Sequence, residues 1–145
     1  MKRFFEHHVP HLPQRMFDIV ADLEDYPRFV PNCKAMQVRP DASGPDTVLA
    51  TMTLFFGPIT QAYTSRVVND RQGVTIKAKA VDGPFAYLDS IWSFEPEGMG
   101  TRVRFEIDFK ISNVLIAAVA EPAFAAKQAQ IIQAFIDEAD RRYGN

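Results

Sequence analysis

The stretch 101–143 reads TRVRFEIDFKISNVLIAAVAEPAFAAKQAQIIQAFIDEADRRY, and its hydrophobic period changes near Asn113. Up to Ile111, apolar side chains alternate with mostly charged ones, which predicts an antiparallel strand with one buried and one solvent-facing side. Beyond Asn113 helix-forming residues predominate, and Pro122 is expected to kink or restart the helix. One stripe of this predicted helix carries Phe124, Gln128, Ile131, Phe135 and Glu138.

Upstream of this stretch, the two-residue period recurs between short turn signals. It predicts further strands at residues 2–9, 34–39, 47–56, 60–68, 74–80 and 87–94. Residues 13–22 carry apolar side chains at helical spacing, and prolines limit residues 24–31 to a turn or two. The sequence therefore predicts an α+β fold, in which a curved antiparallel sheet wraps around a long C-terminal helix, with two short helices after strand 1.

The composition favours one domain spanning residues 1–145. A net charge of −2 gives no reason to expect binding to DNA. The N-terminus has neither a signal-peptide nor a transit-peptide pattern, and the apolar run Val114–Ala120 is far shorter than the roughly 20 residues that span a bilayer. We expect a cytoplasmic, bacterial protein, with a peripheral location at the inner membrane as an alternative.

Motifs for catalysis or metal binding are not evident in the sequence. His7 and His8 point to opposite faces of a strand, and together with His11 they are expected to be solvated. Cys33 is expected to be buried and inert. We therefore expect no catalytic residues, no metal and no cofactor, and the protein is not predicted to be an enzyme.

A ligand site is instead indicated by apolar rings on one face of the sheet. Leu88, Trp92 and Phe94 share a strand face opposite a helix rich in alanine, and small residues there are expected to leave a gap. A flat, apolar ligand would suit such a gap. Its polar end would need hydrogen bonds, for which the sequence offers Tyr63, Arg66 and Ser90 without deciding between them.

Several motifs resemble the coenzyme-Q-binding START-like family of the polyketide cyclase/lipid-transport superfamily. They are Tyr26-Pro27-x-Phe29-x-Pro31-x-Cys33, Gly83-Pro84-Phe85, and Leu88-x-x-x-Trp92-x-Phe94. The resemblance implies a helix-grip fold that binds ubiquinone or another polyprenyl lipid as a ligand and supports respiratory electron transfer. The expected partners are that lipid and, transiently, a membrane surface.

The resemblance leaves two other functions open. The family also contains ribosome-association toxins, for which the ribosome would be the partner and basic residues of neighbouring strands could form the contact surface. These basic residues are Arg66, Lys77, Lys79, Arg102, Arg104 and Lys110. The other function is that of a polyketide aromatase/cyclase, which requires a polar catalytic group deep in the pocket.

Thirteen residues are predicted to bind the ligand, and Asn32 is expected to add a polar wall at the entrance. The thirteen are Tyr26, Phe29, Val30, Pro31, Tyr63, Phe85, Leu88, Trp92, Phe105, Phe109, Phe124, Ile131 and Phe135. The segment 26–33 is further expected to make few internal backbone hydrogen bonds, because of its two prolines, and to act as a mobile lid.

Overall fold

Seven antiparallel strands form one sheet in this computed structural model, which describes residues 1–144 without the side chain of Phe56. Asn145, the last residue of the predicted domain, lies outside the described residues. The elements are β1 (Lys2–Val9), α1 (Pro13–Ala21), α2 (Tyr26–Phe29), β2 (Cys33–Pro40), β3 (Thr47–Phe56), β4 (Ile59–Asp70), β5 (Thr75–Asp82), β6 (Phe85–Glu97), β7 (Gly100–Ile111) and α3 (Val114–Tyr143).

The sheet has the order β1-β7-β6-β5-β4-β3-β2. Strands β2 to β7 follow one another as antiparallel neighbours, and β1 pairs with β7, where Phe5 lies opposite Phe105. The register shifts in β2, β4 and β6, and such bulges increase the bend of a sheet. The predicted α+β helix-grip fold, with a curved sheet around a long C-terminal helix, is confirmed.

The helix α3 runs for 30 residues and contains Pro122, so the predicted restart at this proline does not occur. Proline removes one backbone donor, but the turns on both sides and packing on the sheet keep the helix continuous. Asn113 caps its start, where Oδ1 accepts hydrogen bonds from the backbone N–H groups of Leu115 and Ile116 at 2.9 and 3.1 Å. Among the described residues, no helix is both long and apolar enough to cross a membrane.

The core lies between the concave face of the sheet and the helices α1 and α3. From α1, the side chains of Met16, Phe17, Ile19 and Val20 are buried. The predicted stripe of α3 also faces inward, because Gln128, Phe135 and Glu138 are all buried.

His11 departs from the expectation of a solvated histidine. Its side chain is buried, and its Nε2 lies 2.7 Å from Oδ1 of Asp140 on α3. The backbone carbonyl of His11 also accepts a hydrogen bond from the hydroxyl of Thr101 at 2.6 Å. The burial comes from α3, whose last turns pack over the segment that follows β1, and such a long-range contact leaves no local pattern.

Candidate ligand-binding cavity

A cavity of about 140 Å³ lies between the concave face of the sheet and α3. Side chains from α1, α2, α3 and the strands β2 to β7 line it, and most are apolar. The side chains with polar groups on the described wall are Tyr26, Tyr63, Ser65, Ser90 and Gln128. The site can therefore enclose an apolar molecule and offer it a few hydrogen-bonding groups.

Nine of the thirteen predicted ligand-binding residues lie on the cavity wall: Tyr26, Val30, Tyr63, Leu88, Trp92, Phe105, Phe124, Ile131 and Phe135. The other four, Phe29, Pro31, Phe85 and Phe109, lie outside the described wall. Phe109 is fully buried beneath Phe85 and Phe124, with ring centroids 6.4 and 4.9 Å away. Phe29 packs on the rings of Tyr26 and Phe135. Alternation identifies the inner face of a strand, but it does not show which inner residues reach the cavity.

Trp92 stands at the centre of the aromatic part of the wall. Its ring centroid lies 4.5 Å from that of Phe105 and 5.0 Å from that of Phe135, so β6, β7 and α3 meet at this side chain. The ring of Tyr26 packs edge-on against Phe135 at 5.2 Å, and its hydroxyl donates a 2.5 Å hydrogen bond to the carbonyl of Val20. Burial raises the pKa of the Tyr26 phenol, which stays neutral.

Tyr63 is positioned by a close approach of the β5–β6 turn. Gly83 has φ +124°, and a Cβ atom there would lie 2.5 Å from Cβ of Tyr63, so only glycine fits this position. The Tyr63 ring packs edge-on against Phe85 at 5.0 Å, and its hydroxyl lies 3.5 Å from Sδ of Met52. Burial raises the pKa of Tyr63 to about 12, so this hydroxyl remains a neutral hydrogen-bonding group.

The three head-group candidates of the sequence divide between the two faces of the sheet. Tyr63 and Ser90 lie on the cavity wall, whereas Arg66 lies on the outer face, where its Nε donates a 2.6 Å hydrogen bond to Asp41. Residues 63 and 66 differ by an odd number of positions, so regular alternation places them on opposite faces.

Gln128 is a polar residue of the wall that sequence reasoning did not select. Its side chain is buried, and neither amide atom has a hydrogen-bond partner among the described residues. The signal was present in the sequence, because this glutamine interrupts an otherwise apolar part of the α3 stripe.

A cluster of charges joins α2 to α3 beside the cavity. Glu138 is buried, and its carboxylate accepts hydrogen bonds from Arg141, Arg142 and Arg28. Arg28 and Arg142 also bind Asp25, at 2.8 and 2.6 Å. The hydrogen bonds that the Glu138 carboxylate accepts, with that of Arg141 contributing most, lower its pKa to about 2. The lid stays a prediction, and the ion pair of Arg28 with Glu138 holds this segment on α3.

Other expectations around the site also need correction. The alanines of α3 do not border the described cavity, which lies beside the middle of the helix, between Phe124 and Phe135. Asn32 has φ 67° and donates through Nδ2 to the carbonyl of Phe55 at 2.8 Å, so it shapes a turn instead of forming an entrance wall. Cys33 is buried as predicted, and burial raises the pKa of its thiol to about 11.

The opposite face of the sheet carries an open groove of about 800 Å³. Of the predicted basic surface, Arg66, Lys77 and Lys79 line this groove, together with Lys2 and Arg3 and the acidic residues Asp89, Glu106 and Asp108. Arg102 and Arg104 instead pair with Glu6, at 3.0 and 2.8 Å. The predicted basic residues are therefore divided between this groove and ion pairs with Glu6, and the mostly apolar inner cavity is the better site for an apolar ligand. The described residues contain no cluster of three or more side chains able to hold a metal ion.

A curved sheet that grips a long helix over an apolar cavity defines a START-like, helix-grip domain. The chain belongs to the polyketide cyclase/dehydrase and lipid-transport family, whose model matches residues 9–136.

Two curated relatives and one solved structure are informative. The chain is 32% identical to the ribosome association toxin RatA of Rickettsia prowazekii, over 88% of each chain. It is 33% identical to the mitochondrial coenzyme Q-binding protein COQ10 of Drosophila melanogaster, over 90% of this chain and 55% of the relative. The solution structure of an 18 kDa protein from Caulobacter crescentus superimposes with a TM-score of 0.82 at 27% identity, over 100% of this chain and 99% of the other.

Proposed function

We propose that this chain binds ubiquinone or a similar polyprenyl lipid in the cavity between the sheet and α3, and thereby supports respiratory electron transfer. The observation that carries the proposal is the mostly apolar cavity between the sheet and α3, with hydrogen-bonding groups on its wall. A quinone combines an apolar ring and tail with oxygen atoms that need such groups. The relative from Drosophila, named as a coenzyme Q-binding protein, supports the same ligand class.

The proposed role is that of a carrier and not of a catalyst. The polar groups on the described wall are hydroxyls and one amide, and the raised pKa of Tyr63 makes its phenol a poor base at neutral pH. An aromatase/cyclase would need an acid or base that exchanges protons near neutral pH.

Native mass spectrometry of protein purified from its own host tests the proposal, because a bound quinone should appear as a mass that organic solvent removes. Recovery of a cyclised polyketide instead would contradict it.

The cavity volume limits how the ligand enters. At about 140 Å³ it is smaller than the roughly 300–1,000 Å³ of typical small-molecule sites. A quinone ring with a long tail therefore requires either an outward movement of α3 or a tail that leaves the cavity.

Filling the cavity should reduce binding without removing the fold. Ala50 is buried on the wall, and Ala50→Leu adds three carbon atoms where the ligand would lie. We expect the dissociation constant for decylubiquinone to rise by about tenfold or more, equivalent to about 1.4 kcal/mol. Fluorescence of Trp92, the single tryptophan of the chain, gives the measurement.

Ala126→Leu is the matched control for this substitution, since Ala126 is exposed on α3. The control should bind decylubiquinone like the wild type. Equal affinity of the Ala50→Leu variant would place the ligand elsewhere.

We further propose that the start of α3 contacts a membrane when the ligand is exchanged. Val114 and Leu115 are 80% and 81% exposed, and Val119 is 48% exposed. Apolar side chains on the surface of a helix favour insertion between lipid head groups. The lipid partner that the cavity suits is itself dissolved in membranes, which supports this location for the contact.

The double variant Leu115→Asp, Val119→Asp is expected to lose association with quinone-bearing liposomes in flotation assays. Acidic residues in the first turns of a helix are compatible with its dipole, so the fold should persist, as circular dichroism can verify. Met99→Asp is the control, because Met99 is 95% exposed in the turn before β7, at the other end of the strand that leads to α3. Undiminished flotation of the double variant would contradict a contact through α3.

Ribosome association is the second candidate function, and the extent of similarity to RatA favours it. That similarity spans 88% of both chains. Sedimentation of the protein with ribosomal subunits, with and without decylubiquinone, separates the two functions. Cosedimentation by a protein that binds no quinone would support the second function over the first.

A further inference from the structure

The buried amide of Gln128 has no hydrogen-bond partner within the described part of the chain. The side chain is 2% exposed, and both Nε2 and Oε1 lack hydrogen bonds to any described residue. Polar groups in protein interiors are normally paired, because an unpaired group loses its hydrogen bonds to water on burial. The buried His11, Thr101 and Glu138 of this chain follow that rule.

The position of Gln128 explains why it has no hydrogen-bond partner among the residues that the structure describes. It lies on the inner face of α3, one turn after Phe124 and about one turn before Ile131, and all three side chains border the cavity. The serine hydroxyls of Ser65 and Ser90 belong to the same wall. The amide is therefore a polar group of a ligand site, and a ligand atom is the partner that would satisfy it.

The hydrogen-bonding groups of the Gln128 amide determine which ligands it can bind. Its NH₂ group donates hydrogen bonds and its oxygen accepts them. A quinone presents carbonyl oxygens, which accept, whereas the reduced quinol presents hydroxyl groups, which also donate. An amide can thus bind both forms by turning about its last side-chain bond, which a positively charged or a purely accepting group could not do equally well.

We propose that Gln128 binds the polar head group of the ligand and lets the site hold a quinone in its oxidised and reduced forms with similar affinity. This inference rests on the proposed quinone-binding function and states which redox forms of the quinone the site binds. A site that does not discriminate between the two forms suits a carrier that serves both producers and consumers of the quinol.

The test compares decylubiquinone, decylubiquinol and decylbenzene, which has a ring and tail without oxygen atoms, by isothermal titration calorimetry. The wild type should bind the quinone and the quinol with dissociation constants within about threefold of each other. Gln128→Leu should raise the dissociation constants of the quinone and of the quinol by about tenfold, because each loses a hydrogen bond in a site that excludes water. The same variant should bind decylbenzene with unchanged or higher affinity. Gln128→Met keeps the side-chain length and should behave in the same way.

Gln130→Leu is the matched control, because Gln130 is exposed on the same helix. A ligand-free Gln128→Leu protein should also melt at a higher temperature than the wild type, which a residue with a merely structural role would not do. Unchanged quinone affinity in Gln128→Leu and Gln128→Met would overturn the inference while leaving quinone binding intact. A wild type that binds none of the three probes would overturn quinone binding itself.

Discussion

Replacement of Trp92 by alanine is expected to lower the free energy of unfolding by about 3–5 kcal/mol, as for other buried aromatic residues. Its ring packs on Phe105 and Phe135, at centroid distances of 4.5 and 5.0 Å, so the substitution removes contacts between two strands and α3 at once. The same ring forms part of the cavity wall, and quinone affinity should fall as well. Urea unfolding monitored by circular dichroism measures the first effect, and calorimetric titration of the folded fraction measures the second.

Phe4→Ala is the control for this large-to-small substitution. The Phe4 ring is 51% exposed on the outer face of the sheet, so its removal should change the stability by only about 0.5 kcal/mol. From the sequence alone, a loss of ligand retention larger than the loss of stability would be expected for Trp92→Ala, but the observed ring contacts predict that both are large. A stability change below about 1 kcal/mol would contradict this account of the core.

The fold could be predicted because its two main elements carry strong periodic patterns. In β7 apolar and charged residues alternate over the ten positions 102–111, and in α3 one stripe continues from Phe124 to Glu138. These patterns reflect burial on one side, which acts on every residue of the element. The pairing of β1 with β7 joins the first strand of the chain to the last and has no such local pattern.

The cavity could be predicted only in part. Alternation placed Trp92 and Leu88 on the inner face, and the structure agrees. Whether an inner residue lines the cavity or packs beneath the wall depends on how the sheet curves over α3, as Phe109 shows. The alanines of α3 suggested unfilled space on faces of the helix that do not border the cavity, for the same reason.

The polar residues around the site were harder to predict than the apolar ones. Gln128 and Glu138 both interrupt the apolar stripe of α3, but the sequence does not show that one lacks a partner and that the other binds three arginines. Arg28 lies 110 residues before Glu138. Such contacts follow from the packed fold and not from local spacing.

The second large expected effect is a loss of stability at acid pH, which comes from protonation of Glu138. Its ordinary pKa of 4.5 falls to about 2 in the folded protein, because Arg141, Arg142 and Arg28 donate hydrogen bonds to the carboxylate. The unfolded chain therefore takes up a proton at a higher pH than the folded chain does. Stability from this group is present above pH 4.5 and is lost as the pH falls toward 2, by up to about 3 kcal/mol.

Glu138→Gln should remove most of this dependence and lower the stability at neutral pH by about 3 kcal/mol, since a buried ion pair loses one partner. The exposed fractions of Arg28 and Arg141, 44% and 60%, make this value an upper bound. Urea unfolding from pH 7 to pH 2 measures both effects.

Asp137→Asn is the control, because Asp137 is exposed on the same helix and bonds only Gln133 among the described residues. If Glu138→Gln and the wild type lose stability in parallel below pH 5, the three arginines do not hold this carboxylate ionised, and α2 must be kept on α3 by the packing of Tyr26 against Phe135 instead.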